Sequence, residues 1–417
     1  MQPKSRMLLA ALAGASAALL VVMPVRADVI MDWNAKADAI AAEKVIPPVP
    51  HARALAILHV SMFEAVNAIE RRYTAYKLNL TADRTTSKEA AAASAGHEVL
   101  VSLYPDKKAD LDATLSTALA GIPEGPAKAN GISLGQKAAA EIIALRASDG
   151  YNTQESYRPH TSPGVYVPTI VPVFSTAGGM TPWVMTTGSQ FRPASPPALN
   201  SETWTRDLNE IRELGERNSP KRTAEQTTIG RFWFLTGPRT YNPIVHQVAK
   251  AKQMDIVDSA RLFALVLMAG SDAMTAVFDG KYAYNLWRPV TAIRNADQTG
   301  NTATPREASW LPLGDTPMHP EYPCAHCISS AAVSAVLQAV VGESVGEISL
   351  TSPTAPGVTR RWTRFQDYSD EVSLARVYAG FHYRFSIEVG KEMGKKIGEM
   401  TVSTQLRGAT ATAEPRR

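Results

Sequence analysis

The chain has 417 residues, of which 45% are hydrophobic and 20% are charged, and its formal net charge is +4. This composition is typical of a globular protein with enough apolar material for one large domain or two packed smaller ones. The charge balance does not indicate a nucleic-acid partner, and the sequence carries no signal for an oligomeric state.

The first 27 residues have the features of a secretory signal peptide. Lys4 and Arg6 give a positive start, residues 7–23 are apolar, and Ala27 supplies a small residue for cleavage. An uncleaved membrane anchor is the alternative, but this apolar stretch reaches only about 25 Å, against a bilayer core of about 30 Å. We expect a mature chain from Asp28 onward that is exported to the periplasm or secreted and has no stable membrane span.

Most of the remaining sequence has the periodicity of amphipathic helices, with apolar residues three and four positions apart, such as Leu55, Leu58 and Met62. There is no repeat of fixed period and no strong alternating strand pattern, so the predicted fold class is all-α. The predicted helices cover residues 38–43, 51–72, 87–103, 107–119, 134–146, 202–214, 223–234, 244–282, 328–341 and 372–400.

Residues 153–197 are rich in Pro, Thr, Ser and Gly and cannot form long helices. Buried aromatic side chains are expected to order this segment as an irregular connection that wraps two helical bundles around one pocket. The predicted organisation is a signal peptide at 1–27, an N-terminal helical region with the Pro-rich connection at 28–200, a C-terminal helical bundle carrying the site at 201–405, and a flexible tail at 406–417.

Three short segments in the last third of the chain carry residues suited to binding an oxyanion. In the first, KYAYNLWRP at 281–289, Lys281 and Arg288 are seven positions apart. On a continuous helix they would share one face, where a point charge and a planar fork can converge on one anion. Taken alone, two cations on one helix face are equally typical of a solvated surface.

The second segment is HPEYPCAHC at 319–327, which runs directly into an apolar predicted helix. Backbone N–H groups at the start of that helix, at Cys324 and Ala325, are predicted to bind an anion with help from the helix dipole. His326 is then placed to exchange protons with the bound group.

The third segment, ARVYAGFHYRFS at 375–386, contains Arg376 and His382 six positions apart. An unbroken helix would point them to different faces, but Gly380 permits a bend that brings both to one site. An isolated histidine in such a segment is otherwise more often a packed core residue.

Together and in this order, the segments resemble the signature K-x6-R-P, P-S-G-H and S-R-x5-H-x3-D. Vanadium-dependent haloperoxidases, bacterial class A acid phosphatases and type 2 phosphatidic acid phosphatases share this signature. Other stretches resemble soluble haloperoxidase-type bacterial proteins, so the resemblance covers nearly all of the mature chain: Asp32-Trp33-Asn34, Ala54, Ile57, His59, residues 65–68, residues 190–193 and Phe232-Trp233. It implies two packed helical bundles of the vanadium haloperoxidase type.

The resemblance also implies a role for each site residue. Lys281, Arg288 and Arg376 bind the anion oxygens with the Ala325 N–H, and His326 is the acid–base residue. His382 is the vanadium ligand in a peroxidase or the nucleophile in a phosphatase. The implied cofactor is vanadate for a haloperoxidase and none for a phosphatase, and the substrates are halide and peroxide or a phosphate ester.

The chain departs from the signature at four positions: Cys324 for Ser, Ala325 for Gly, Ala375 for Ser, and Ser386 for Asp. A thiol is a weak donor, and the carboxylate that would orient His382 is missing, so Glu371 or Glu388 is considered as its substitute. Asp272 and Asp279 are predicted to support the site by pairing with Lys281 or His326.

The two cysteines, Cys324 and Cys327, allow several interpretations. A disulfide, a redox pair, and a metal site with His319 and His326 are all considered. A free thiol beside a peroxide-activating cofactor would risk oxidation, which favours phosphate ester hydrolysis. The overall resemblance favours haloperoxidase-type oxidation of halide, which we rank first, ahead of a phosphomonoesterase with a phosphohistidine intermediate and of a degenerate oxyanion-binding protein.

Overall fold

The structure, a computed structural model, describes residues 28–168 and 170–409; the predicted signal peptide lies outside the described residues. The all-α prediction is confirmed, since the described residues contain thirteen α-helices and little sheet. The helices are α1 Val29–Glu43, α2 Pro48–Glu70, α3 Lys88–Leu103, α4 Lys108–Ala120, α5 Pro126–Arg146, α6 Glu202–Leu214, α7 Ala224–Phe232, α8 Pro238–Ala251, α9 Ile256–Tyr284, α10 Pro289–Arg294, α11 Ala325–Val341, α12 Phe365–Tyr378 and α13 Arg384–Thr404.

Helix α9 lies at the centre and packs against α2, α11 and α13. Asp255 begins it by accepting hydrogen bonds from the N–H groups of Val257 and Asp258, at 3.0 and 2.9 Å. It ends at Asn285, which adopts a left-handed φ of 49°. Residues of the N-terminal and C-terminal regions share one hydrophobic cluster around this helix. The domain boundary at residue 200 stays a prediction.

By length and composition α2 and α9 could each cross a membrane, with mean hydropathy of 1.3 and 1.5. Within the fold, however, 94% and 89% of their most apolar windows are buried. Core helices of this length have the same composition as membrane spans. We therefore describe both as core helices.

Glycines allow two pairs of helices to approach closely. A Cβ at Gly394 in α13 would lie 2.1 Å from the carbonyl oxygen of Ile328 in α11. In the N-terminal region, a Cβ at Gly135 in α5 would lie 2.2 Å from the carbonyl oxygen of Ala91 in α3. Each close approach is possible only because glycine has no side chain. The approach at Gly394 fixes α11, the helix that carries His326.

The Pro-rich connection wraps the helices as predicted, with Trp183 buried and no α-helix among its described residues. Two carboxylates of α9 hold it in place. Asp272 accepts from the backbone N–H groups of residues 183–185 at 2.7 to 2.9 Å, and Asp279 pairs with both ends of the Arg192 guanidinium at 2.7 Å. The predicted pairing of Asp272 and Asp279 with Lys281 or His326 is therefore wrong, because backbone donors and Arg192 use these oxygens.

Four local predictions are corrected by the structure. An antiparallel hairpin, β1 Ile348–Ser352 and β2 Ala355–Trp362, was missed because β2 buries only its two end residues and shows no clean alternation. The predicted helix 372–400 is broken between α12 and α13 at Gly380, whose φ is 78°, and the predicted helix 244–282 is broken between α8 and α9. The first residues of the predicted flexible tail are fixed instead, since Leu406 is buried and its carbonyl accepts from Arg261.

Candidate active site

Lys281 lies in the last turn of α9 and is fully buried. Its Nζ donates to the carbonyl oxygens of Pro320 and Glu321 at 2.9 and 2.7 Å. Burial and the neighbouring Arg288 hold the pKa of Lys281 well below its usual range. The predicted reason for its convergence with Arg288 is wrong, because the helix ends at Tyr284 and Arg288 lies beyond a left-handed turn, at the start of α10.

Arg288 is held by acceptors on every side. Its Nε donates to the carbonyl of His319 at 2.8 Å, and Nη2 lies 3.0 Å from Nδ1 of the same histidine. Its Nη1 donates to the carbonyl of Phe381 at 3.0 Å and lies 3.2 Å from Nε2 of His382. Burial lowers the pKa of Arg288 to about 10, although the Glu321 carboxylate opposes this shift.

Arg376 differs from the other two cations because its donors are not all used. It is fully buried, its Nη1 donates to the carbonyl of Trp233 at 2.6 Å, and its guanidinium lies 4.8 Å from the centre of the Phe381 ring. Its Nε and Nη2 have no hydrogen-bond partner in the described part of the chain. Burial and Arg288 lower its pKa to about 9. Unfilled buried donors on a cation are rare in proteins and indicate a place for an anion.

His382 is oriented by a carboxylate that the sequence analysis missed. Its Nδ1 lies 2.8 Å from Oε1 of Glu321, which also accepts from the N–H of Tyr383 at 3.0 Å. Burial raises the pKa of Glu321 to about 7, while Lys281 and Arg288 pull it down. With Nδ1 engaged, the Nε2 of His382 is the nitrogen that faces the cations.

The two proposed substitutes for the missing carboxylate are wrong. Glu371 binds the Arg360 guanidinium and donors of two tryptophans, and Glu388 pairs with Lys391. Glu321 was overlooked because it lies inside the second motif segment, whereas the signature places the carboxylate after His382.

His326 and Ala325 begin α11 at the same pocket. His326 is nearly buried, and its Nε2 lies 3.3 Å from the carbonyl oxygen of Phe234. Burial and Arg376 hold its pKa well below the usual range, so the imidazole is neutral near pH 7. Ala325 is the first helical residue, and N–H groups in the first turn of a helix have no partner within that helix. We refer to Lys281, Arg288, Arg376, His326 and His382, which the fold brings together, as the oxyanion pocket.

Cys324 and Cys327 form a disulfide beside this pocket. The thiol of Cys324 is therefore not available to donate to an anion, and of the alternatives considered for the two cysteines the structure contains the disulfide. Its sulfur instead accepts from the N–H of Cys327 at 3.3 Å, at the start of α11. Among the described residues no cluster of three His, Cys, Asp or Glu side chains could hold a metal ion.

A cavity of about 730 Å³ opens above the pocket. His319, Ala325, His326 and His382 are among the residues that line it, and its walls are mainly apolar. His319, which the sequence analysis considered only as a metal ligand, is also neutral near pH 7, because burial and Lys281 lower its pKa. The site thus combines three buried cations with neutral histidines.

Comparisons with known proteins bear directly on these segments. A family model described as the VCPO second helical-bundle domain matches residues 261–408. The vanadium chloroperoxidase of Curvularia inaequalis is 26% identical over 238 residues, which cover 42% of this chain and 38% of that protein. The chain therefore matches well under two thirds of the chloroperoxidase's length.

Solved structures extend the likeness to nearly the whole chain. The first bacterial vanadium-dependent iodoperoxidase superimposes with a TM-score of 0.78 at 25% identity, over 92% of this chain and 97% of that one. A holo-type bacterial vanadium-dependent chloroperoxidase superimposes with a TM-score of 0.68 over 85% and 90%, and at 16% identity it shows the fold alone. The second-bundle model spans all three motif segments, and the iodoperoxidase fold extends over almost the entire described chain, so this protein resembles the vanadium haloperoxidases both in its fold and in the segments that carry the site.

Proposed function

We propose that this protein is a vanadium-dependent haloperoxidase, which oxidises a halide with hydrogen peroxide. The observation that carries the proposal is Arg376, whose Nε and Nη2 are buried beside Lys281 and Arg288 and have no partner among the described residues. Three buried cations repel one another, so an oxyanion that accepts several charged hydrogen bonds would stabilise them all. The family relationship supports vanadate as that oxyanion.

The residues present fit vanadate. Lys281, Arg288 and Arg376 would hold its oxygens together with the Ala325 N–H, and the unprotonated Nε2 of His382 would bind vanadium. Glu321 keeps the proton on Nδ1 of His382, as carboxylates hydrogen-bonded to metal-binding histidines commonly do. When bound, vanadate supplies a Lewis-acidic centre that activates hydrogen peroxide for attack by halide.

The chain's own residues also handle protons. His326 is neutral because burial lowers its pKa, so its imidazole can take a proton from incoming hydrogen peroxide and return it to the leaving oxygen. The apolar cavity above His326 limits the water around it. The disulfide removes the objection drawn from the sequence, since Cys324 presents no thiol for peroxide to oxidise.

A phosphomonoesterase is the second candidate, and the Glu321–His382 pair favours it. An imidazole with Nε2 unprotonated and Nδ1 held by a carboxylate is also what attack on phosphorus requires. The same pocket would bind phosphate without any cofactor.

We infer that the protein acts outside the cytoplasm, in the periplasm or as a secreted protein. The signal-like residues 1–27 support this location, and so does the disulfide, because disulfides persist mainly in oxidising compartments.

Paired assays on mature protein stripped of anions test the proposal. With vanadate, iodide and hydrogen peroxide, we expect triiodide formation that phosphate inhibits and that His382→Ala abolishes. Arg361→Gln, which removes a surface ion pair with Glu347, is the matched control and should keep full activity. Hydrolysis of p-nitrophenyl phosphate without vanadate, with phosphate trapped on His382, would support the second candidate instead. Activity in neither assay, with phosphate binding intact, would leave an oxyanion-binding protein.

A further inference from the structure

The Nε and Nη2 nitrogens of an arginine form a fork that can donate to two oxygens at once. Elsewhere in the chain this fork is used on a carboxylate. Nε and Nη2 of Arg192 bind the two oxygens of Asp279, both at 2.7 Å, and the same nitrogens of Arg360 bind Glu371. In Arg376 these two nitrogens have no partner among the residues that the structure describes. The contacts that hold Arg376 therefore leave its fork free.

The ring of Phe381 is one of these contacts. The guanidinium carbon of Arg376 lies over the ring, 4.8 Å from its centre, and Phe381 is only 3% exposed. An aromatic face attracts a cation without neutralising it, whereas a carboxylate would occupy the fork and cancel the charge. The other contact, from Nη1 to the carbonyl of Trp233 at 2.6 Å, uses the nitrogen outside the fork. Arg376 is thus held at two points with both fork nitrogens available.

The turn after α12 brings Phe381 back onto Arg376. Gly380 adopts a left-handed φ of 78°, and the N–H of Phe381 then donates to the carbonyl of Arg376 at 3.0 Å. A Cβ at Gly380 would lie 2.6 Å from the carbonyl oxygen of Gly215, so only glycine fits this turn. The local sequence therefore builds the contact between ring and guanidinium within a single turn of chain.

Phe381 also contacts other parts of the oxyanion pocket. Its carbonyl accepts from Nη1 of Arg288 at 3.0 Å. Its ring packs against Phe234, with the ring centroids 5.8 Å apart, and the Phe234 carbonyl lies 3.3 Å from Nε2 of His326. One residue therefore contacts two cations that repel each other, Arg288 through its backbone and Arg376 through its ring.

We propose that Phe381 is a positioning residue for the anion: its ring holds the charged guanidinium of Arg376 so that the Nε–Nη2 fork faces the oxyanion pocket. The anion would approach the fork and not the ring, so the ring stays in contact with the guanidinium before and after binding. It raises anion affinity because a long side chain is already ordered when the anion arrives. The inference rests on the proposed function, since it requires that the pocket binds an oxyanion.

Calorimetric titration of the vanadate-free full chain with phosphate measures this effect. Leucine is apolar but has no aromatic face, so we expect Phe381→Leu to bind phosphate about five- to tenfold less tightly. This lies below the factor of about thirty that a fully desolvated cation–π contact represents. Phe63→Leu is the matched control, because Phe63 is fully buried in α2 and does not line the cavity. It should keep the phosphate affinity of the wild type, and an unchanged affinity in Phe381→Leu would overturn the proposal.

Fluorination separates the attraction of the ring for the cation from the shape of the ring. Fluorine withdraws electron density from the aromatic face and adds little volume, so monofluoro-, difluoro- and trifluorophenylalanine at position 381 weaken the attraction in steps while the packing is kept. We expect phosphate affinity to fall with each added fluorine and to approach that of Phe381→Leu. The same series at position 63 should leave the affinity constant. A constant affinity across the series at position 381 would overturn the proposal, even if Phe381→Leu fails to fold.

The failure of this inference can be distinguished from the failure of the proposed function. A wild type that binds phosphate but forms no triiodide with vanadate, iodide and peroxide would contradict the haloperoxidase and leave the role of Phe381 to the fluorinated series. A wild type that forms triiodide, with equal phosphate affinity in all the ring variants, would overturn the role of Phe381 alone. A wild type that binds neither phosphate nor vanadate would overturn both.

Discussion

The buried arginine of the N-terminal helices and the buried cations of the oxyanion pocket have different partners. Arg146 lies 3.0 Å from the carboxylate of Asp149, which also accepts from Arg53 at 2.7 Å. The three cations of the pocket instead rely mostly on backbone carbonyls, and two nitrogens of Arg376 have no partner within residues 28–168 and 170–409. Charge in the first region is balanced within the chain and contributes to stability, whereas charge in the second is balanced only when an anion binds.

Arg376→Met tests whether charge in the oxyanion pocket is balanced only by a bound anion. Of the substitutions considered, it should have the largest effect. We expect phosphate to bind more than about a hundredfold less tightly, because two hydrogen bonds to a charged group, worth about 1.5–3 kcal/mol each, are lost. The anion-free protein should melt at the same or a higher temperature, since a repelled cation is replaced by an apolar side chain. Calorimetric titration and thermal melting measure both quantities. A phosphate affinity within threefold of the wild type would show that the free nitrogens do not face the anion.

Arg146→Met is the matched change in the first region and should have the opposite signature. It leaves Asp149 buried with one partner fewer and removes a donor to the Thr181 carbonyl. Breaking a buried pair in this way should lower the free energy of unfolding by about 3 kcal/mol. Urea unfolding measures that loss, while phosphate affinity should stay within twofold. A large loss of phosphate affinity in the folded variant would contradict the division between the two regions.

Gly135 in the N-terminal region and Gly394 beside the oxyanion pocket allow the same two regions to be compared in their helix packing. Gly135→Ala and Gly394→Ala each force a methyl group against a backbone oxygen and should cost about 1–3 kcal/mol of stability. Only Gly394→Ala should also weaken phosphate binding, because it displaces the helix that carries Ala325 and His326. Gly270→Ala, in α9 with no atom near the added methyl, is the control and should stabilise by up to about 1 kcal/mol. Equal effects of both tight glycines on phosphate would contradict the expectation.

The smallest effect concerns pH and Glu321. Burial raises the pKa of this carboxyl from 4.5 to about 7, so its contribution to stability is full below pH 4.5 and is lost as pH rises to 7. Above pH 7 the carboxylate opposes a bound anion. We expect sulfate affinity to fall there by at most about tenfold per pH unit. Sulfate is chosen because it does not titrate in this range. In Glu321→Gln, sulfate affinity should not change between pH 6 and 8. If it still falls with pH as steeply as in the wild type, another group causes the effect.

Much of the site could be predicted from the sequence because its residues occur at signature spacings. Lys281, Arg288, Arg376, His326 and His382 all reach one pocket. The geometric reason given for the first pair was wrong, since periodicity cannot show that Asn285 ends a helix in the left-handed region.

Other features depended on contacts that spacing does not encode. Glu321 reaches His382 across 61 residues, so neither helical periodicity nor the signature could place it there. The hairpin escaped detection because β2 contacts the core mainly at its ends. Asp272 and Asp279 were assigned to the wrong partners because the donors that they bind belong to a segment without regular structure.

The anchoring of the Pro-rich connection has a consequence for engineering. Tyr157 binds the Asn285 side chain, and the carbonyl of Gly164 accepts from the N–H of Trp287, so the chain is fixed on both sides of residues 158–163. All six of those residues are exposed. Because doubling the length of a flexible loop costs only about 0.6 kcal/mol, an affinity tag or an immobilisation handle inserted there should leave the fold intact.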